Sequence, residues 1–493
     1  MTSTAQTPVE SGKDAQVRPF GMADKLGYLF GDFGNDFMFT FASSFLLIFY
    51  TKVMGINGGI VGTLFLIARI VDAFADVTVG VVVDKLPAGK GGKYRPVMMK
   101  MAPAVVIFSF LMYQTFAIDS PMWLRIVYMY VTYIIWGILY SCVNIPYSSM
   151  ASLISAEPED RTSLSTFRSV GSTCASLVIG TVAPLIIYTA DANGKQIIRG
   201  GEGTQVFALV SGIFAVLAFL CFFACYKLCT ERVKPEVHAA AGGAGGAGAA
   251  SVERKSTFGM IANALKSRSL WGLILMSLSA TIAMLFLMQM VNYIYADYFG
   301  SATMISLTVM LGSLAMLVCA PIAKPLSRRI GHKGCAVLGQ AFGCAAVIVL
   351  FVLHTDQPIV FTVGYVLIFL GVGLSNMVCY AMATDTIDDI EVHQHMREDA
   401  TVYSVYSFGR KVGQAIAGWI SGHALVWVGY QSGATTVQTD EVRHNIYTFS
   451  TMIPAIALAV GVLILIFLYP LNKKRVDANV ATLKAKRGEV VQG

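Results

Sequence analysis

Residues 64–83 read LFLIARIVDAFADVTVGVVV, a stretch that would pass for a membrane span but for Arg69, Asp72 and Asp76. At 1.5 Å per residue a helix of this length measures about 30 Å, the thickness of the hydrocarbon layer. Asp72 and Asp76 are four residues apart and share one helical face, and Arg69 lies one turn earlier on the same face. A carboxylate in hydrocarbon is costly, so these groups must look into a bundle interior or a wet cavity. One ion pair with Arg69 would serve helix packing alone. The second carboxylate leaves net negative charge, as a cation site requires.

The surrounding chain fits that reading. Its 493 residues are 55% hydrophobic and only 13% charged, with mean hydropathy +0.64. A soluble protein of this size needs far more surface charge. Apolar segments recur at about 24–52, 58–84, 97–117, 122–153, 163–190, 205–228, 270–297, 303–325, 333–354, 359–386, 401–429 and 446–470. The expected fold class is therefore an all-α polytopic membrane protein with twelve transmembrane helices. The polar start of the chain, with Glu10, Lys13, Asp14 and Arg18, lacks the apolar core of a cleaved signal, so the first span is expected to stay in place.

Basic residues give the orientation. Lys85, Lys90, Lys93 and Arg95 follow the second span, Arg161 the fourth, and Arg328, Arg329 and Lys333 the eighth. The tail adds Lys473, Lys474, Arg475, Lys484, Lys486 and Arg487. Opposite loops are poor in cations, with Lys195, Arg199 and Arg443 as exceptions. Both termini are thus expected in the cytoplasm of a cell-membrane protein. The formal charge of +7 follows this topology, so it does not point to nucleic acid, and anionic lipid is partner enough for the tail. The nine cysteines lie mainly in the spans and form no disulfide framework, and Cys221, Cys225 and Cys229 read as small buried residues.

A tract of Ala and Gly, Ala239–Ala250, divides the chain. The organisation read from it is a cytoplasmic tail at 1–23, a six-helix bundle at 24–230, a flexible linker at 231–269, a second bundle at 270–470 and a basic tail at 471–493. A basic turn follows the second span of each half, a faint internal repeat. Two six-helix halves joined by a tether are the major facilitator arrangement, in which the halves rock about a midplane site.

Other polar residues inside spans extend the candidate site. Asp32, Asn35 and Asp36 lie in the first span; Asn35 and Asp36 suit a polyol, while Asp32 reads equally well as hydrated at the membrane edge. The fourth contains Tyr140, Ser141, Asn144 and Ser148 around Pro146, which frees backbone carbonyls as cavity-lining helices do. Ser141 and Asn144 offer oxygen ligands. Arg410 and Lys411, adjacent in the eleventh span, cannot both snorkel to the surface. Lys411 is suited to compensate the span-two carboxylates, and Arg410 to bind an anionic substrate. Trp136, Tyr140, Tyr403, Tyr406 and Trp419 are aromatic candidates for stacking on a sugar. Asp385, Asp388, Asp389 and Glu391, closing the tenth span, read as hydrated groups pairing with basic loops.

The motifs Gly31-Asp32-Phe33-Gly34-Asn35-Asp36, Arg69–Asp76, Gly92-Lys93-Tyr94-Arg95-Pro96, Asn144-Ile145-Pro146-Tyr147 and Arg410-Lys411 resemble those of the glycoside–pentoside–hexuronide:cation symporters. The resemblance covers Lys25 to about Asn472. It implies that Asp72 and Asp76 bind the coupling cation, that Lys411 lies close to that site, and that Asp36 binds sugar; the residue pattern itself adds Ser141 as a cation ligand and Arg69 as a charge-balancing group. It implies Arg168 as a further sugar-binding residue, beside the candidates Asn35, Asn144, Arg410, Tyr140 and Ser148, while the basic turns themselves suggest Lys93, Arg95 and Arg161 as gating residues. Melibiose permeases in this family have an aspartate where this chain has Asn144, a tryptophan at Ser148, and at Ala75 an asparagine that helps select Na⁺. These departures favour H⁺ as coupling ion, with Na⁺ at Asp72 and Asp76 as the alternative, and favour an anionic sugar such as a glucuronide. A neutral glycoside or pentoside with Na⁺, or a lysolipid carrier on a related fold, are the rival readings. No metal-binding His pair, nucleophile–base pair or nucleotide loop suggests an enzyme or a cofactor beyond that ion. The partners expected are a small sugar and the bilayer, with the monomer as the working unit.

Overall fold

The computed structural model describes residues 18–87, 89, 91–155, 157–190, 196–200, 204–233, 266–301, 303–394, 399–433 and 436–486. The first half consists of α1 (Met22–Ile48), α2 (Gly58–Lys85), α3 (Tyr94–Leu111), α4 (Met122–Ile154), α5 (Pro158–Ile187) and α6 (Val206–Leu228). A hairpin of β1 (Tyr188–Ala190) and β2 (Gln196–Ile198) joins α5 to α6. The second half starts with α7 (Arg268–Tyr293) and a continuous run, Thr303–Leu353, that breaks at Gly331, where φ is +79°. We name its limbs α8 (303–330) and α9 (332–353). α10 (Pro358–Gln394), α11 (Asp399–Trp427), α12 (Asp440–Leu463) and a tail helix α13 (Lys473–Lys486) follow.

Short polar residues start these helices where the sequence provides them. Asn57 accepts the Gly59 N–H at the head of α2, and Thr439 accepts the Val442 N–H at the head of α12. Among the described residues nine helices are long and apolar enough to cross a membrane, and one of them is the bent α8–α9 run. With α2 and α11, of 28 and 29 residues, twelve membrane-length helices are present. The protein is an all-α polytopic membrane protein.

α1 is the most enclosed helix of the first half. Gly31 allows it to lie against the Tyr147 ring of α4, and Gly34 against the Ala218 carbonyl of α6, where any Cβ would collide. Phe37, Phe41, Phe49, Tyr113, Phe207 and Phe214 interlock beyond it. The α6 cysteines belong to the same contact: Cys225 and Cys229 are buried, and Cys229 donates to the Asp24 carbonyl.

The halves meet along α1 with α7, α2 with α11, and α5 with α8. Hydrogen bonds between them gather at the end away from the termini. Thr51 bonds Tyr293 at 2.7 Å, Asn292 donates to the Ser44 carbonyl at 2.8 Å, and Ser306 donates to the Thr181 carbonyl at 3.0 Å. The Gly433 N–H reaches the Thr51 carbonyl, and Ser432 that of Ile56. Lys52 and Asp297 form an ion pair of 2.7 Å there. Both lie on π-helical turns, Phe49–Val53 after α1 and Ile294–Tyr298 after α7, each fourth in its turn. Each turn leads to a left-handed glycine, Gly55 at φ +66° and Gly300 at +65°. The first helix of each half thus ends alike, and equivalent residues pair across the halves.

The ends of the expected linker are shorter than the sequence implied. Glu231 and Arg232 are bound into the first half and Ser267 and Ser269 into the second, while 234–265, with the Ala/Gly tract, lie outside the described residues. So do 1–17, Lys90, Lys195 and Arg487. The tail is not simply solvated: α13 buries Asn479 and Leu483 and reaches α10 through Arg475 and Asn479, which both donate to Asp389. Asp385 and Asp389 are correspondingly not hydrated. Their exposures are 9% and 7%, because His332 bonds Asp385 at 2.7 Å and Ser269 donates to Asp389 at 3.0 Å.

Candidate functional site

Asp72 and Asp76 leave α2 on the side facing α4 and α11. Gly137 of α4 makes room for Asp72, whose carboxylate fills the place a Cβ would take. Arg69 donates to Asp72 at 3.2 Å and lies over the Phe39 ring, 5.1 Å from its centre. One turn on, Asp76 accepts a 2.6 Å hydrogen bond from Ser141 and is paired with Lys411 of the other half. The two carboxylates therefore hold different partners. Asp72 is bonded by Arg69 of its own helix and also lies within electrostatic reach of Lys411, and Asp76 ties α2 and α4 to α11. Side chains on this face remain partly open, with Asp76 27% and Lys411 34% exposed.

A second polar centre lies between α1, α4 and α5. Arg168 donates to Asp32 at 2.9 Å, approaches Ser148 at 3.5 Å, and sits over the Tyr147 ring. Asp32 is 6% exposed, which removes the reading of a hydrated residue at the membrane edge. Asp36 adjoins Ser172 of α5. Asn35 is turned back on α1, donating to the Gly31 carbonyl, and its side-chain oxygen is buried without a partner among the described residues. Tyr140 stacks obliquely on Trp136 and Phe39 and lies within electrostatic reach of Asp36, Asp32, Arg168 and Arg69, so it links the two centres. Asn144, a turn from Ser141, is half-buried, and among the described residues no group bonds its amide.

The remaining candidates are dispersed. Arg410 turns away from Lys411 and donates to Tyr380 of α10 at 3.3 Å. Arg95 holds the Cys229 carbonyl and stacks on Tyr226, and Arg161 donates to the Ser155 and Ser152 carbonyls at the end of α4. The Lys93 N–H donates to Glu231 at 2.6 Å. The bonds of Arg95, Arg161 and the Lys93 N–H lie within the first half. Trp419 lies on His423, and Tyr403 bonds Thr384, while Tyr406 is buried in the second half.

Two important groups escaped the sequence reading. Glu231 accepts the N–H groups of Lys93, Tyr94 and Arg95, neutralising the head of α3. Arg232 bonds Asp24 and four backbone carbonyls, binding α1 and α4 together. Both residues had been assigned to the linker because nothing local marks a charge that folds back. The Lys52–Asp297 pair escaped for another reason: its members are 245 residues apart. The matching FYTKVMG and IYADYFG segments were the available signal.

Known proteins agree with this architecture. The chain is 31% identical over 457 residues to the uncharacterized symporter YjmB of Bacillus subtilis (strain 168), covering 92% of this chain and 93% of that protein. It is 29% identical to the glucuronide carrier protein homolog of Escherichia coli (strain K12), over 91% and 93% of the two chains. Among solved structures, the D-xylose-proton symporter superposes with a TM-score of 0.58 at 14% identity, over 91% and 97% of the chains, a likeness of fold. The MFS/sugar transport protein family matches residues 27–473. The protein is thus a multi-pass transporter rather than an enzyme, and it belongs to the MFS/sugar transport protein family.

Proposed function

We propose that this chain is a secondary active symporter that carries a glycoside, a glucuronide or other hexuronide first, together with H⁺. The observation that carries the reading is Asp76, a carboxylate inside the helix bundle whose partner, Lys411, comes from the opposite half. In the cation-free carrier Lys411 neutralises Asp76, and Arg69 neutralises Asp72. A coupling cation at Asp76 and Ser141 competes with Lys411 and loosens one tie between the halves. Sugar bound at Asp36, Asn35, Asn144, Tyr140, Ser148 and Arg168 then favours closure around it. The bonds gathered at the end away from the termini support an inward-facing state, provided that both termini are cytoplasmic. Two bundles, 24–230 and 270–470, would rock as bodies about these ties, with the monomer as the unit and Lys93, Arg95 and Arg161 meeting the other half when the termini end closes.

H⁺ is favoured over Na⁺ because Ala75 adds no oxygen to the ring of ligands that Na⁺ needs. One observation favours a second reading, a neutral glycoside: Asp32 already balances the charge of Arg168. Counterflow of labelled glucuronide and labelled neutral glycoside into proteoliposomes, under H⁺ and Na⁺ gradients, tests both. Exchange that needs a gradient of one cation, and loses uphill accumulation in Asp76→Asn, is the expected result. Absence of exchange under every cation would end the symporter reading.

A further inference from the structure

A groove of about 920 Å³ runs down the outer face of the first half between α3 and α6, beginning under the β1–β2 hairpin. Its walls below the hairpin are Phe110, Leu209, Ile213, Val216 and Leu217, with Leu209 59% and Val216 60% exposed. Leu209 to Val216 spans about 10 Å of helix, a depth reached by an acyl chain and not by a single headgroup. Among the described residues that line it, polar side chains occur only at its upper rim, where Gln114, Thr204, Gln205 and Arg199 stand.

Arg199 is the distinctive member. Its backbone is fixed, since its N–H donates to the Ile187 carbonyl at 2.8 Å and its own carbonyl accepts from Thr204 at 2.6 Å. Its side chain is exposed, and among the described residues no group bonds the guanidinium. It is also one of few cations on a face where the charge pattern disfavours them, beside Arg443, which is held by the Asp297 and Tyr298 carbonyls. A rigidly mounted guanidinium with no partner among the described residues, above a lipid-facing apolar groove, is complementary to a phosphate carrying an acyl chain.

We propose that this groove is a phospholipid site, with an acyl chain along Leu209, Ile213 and Val216 and the lipid phosphate bound by Arg199. The probe is native mass spectrometry of the full chain, delipidated in detergent and titrated with phosphatidylglycerol or with the diacylglycerol of the same chains. Phosphatidylglycerol is expected to bind at least tenfold more tightly than the diacylglycerol. Arg199→Gln is expected to lower phosphatidylglycerol affinity at least fivefold and leave diacylglycerol binding unchanged, whereas Val216→Trp, which fills the groove from its exposed wall, weakens both. Both positions are exposed, and an unchanged melting transition verifies the fold of each variant. Equal binding of the two lipids by the parent chain, or an Arg199→Gln variant that binds phosphatidylglycerol as the parent does, would overturn the site.

Discussion

Replacing Lys52 by Met removes one half of the ion pair that joins equivalent turns of the two bundles. Lys52 and Asp297 are each only 12% exposed and 2.7 Å apart, so the pair is screened little by solvent. A charge-assisted hydrogen bond of this kind contributes about 1.5–3 kcal/mol net. Asp297 keeps a 3.3 Å bond from Tyr430, so we take about 2 kcal/mol as the loss, equivalent to roughly 30-fold in the balance between closed and open forms of that end. Hydrogen–deuterium exchange of the protein in nanodiscs reads this balance directly in peptides covering 49–57 and 294–300. Lys52→Met and Asp297→Asn should each speed exchange there by about that factor, and the double variant should do little more than either. Coupling below about 0.5 kcal/mol in this cycle, with the two effects simply adding, would refute the pair as a latch.

Other consequences are equally concrete. A Cβ at Gly422 would strike the Gly58 carbonyl and the Gly62 backbone, which cannot yield as a side chain can, so Gly422→Ala should raise exchange in 58–63 and 418–425; unchanged protection would contradict that contact. Glu231→Ala removes the acceptor for three amides at the head of α3, and about 2 kcal/mol of stability with it, seen as a lower apparent Tm. Asp32→Asn releases the Arg168 charge, so the ratio of KM for a neutral glycoside to KM for a glucuronide should rise by about tenfold, or 1.4 kcal/mol. An unchanged ratio would mean that Arg168 does not face the sugar.

The candidate site was legible where physics is local. Intramembrane charge is so costly that Arg69, Asp72, Asp76 and Lys411 stood out from composition alone, and the i, i+4 spacing put the carboxylates on one face. Partner choice was not legible. Nothing in the sequence says that Asp72 takes Arg69 while Asp76 takes Lys411, or that Arg168 belongs to Asp32. Adjacent Arg410 and Lys411 point about 100° apart, as neighbouring helical residues do, but Tyr380 as the partner of Arg410 depends on how α10 lies against α11.

The hydrophobic periods by themselves determined an all-α chain of membrane-length helices, because each span must satisfy its backbone within itself and its length is set by the bilayer. Only the tertiary structure decided which helices join the halves, where Glu231 and Arg232 fold back, and that Lys52 meets Asp297. Those contacts bring together residues up to hundreds of positions apart, and they are selected by shape, by glycines such as Gly58 and Gly422 that let backbones touch, and by the need of each buried charge for an opposite one.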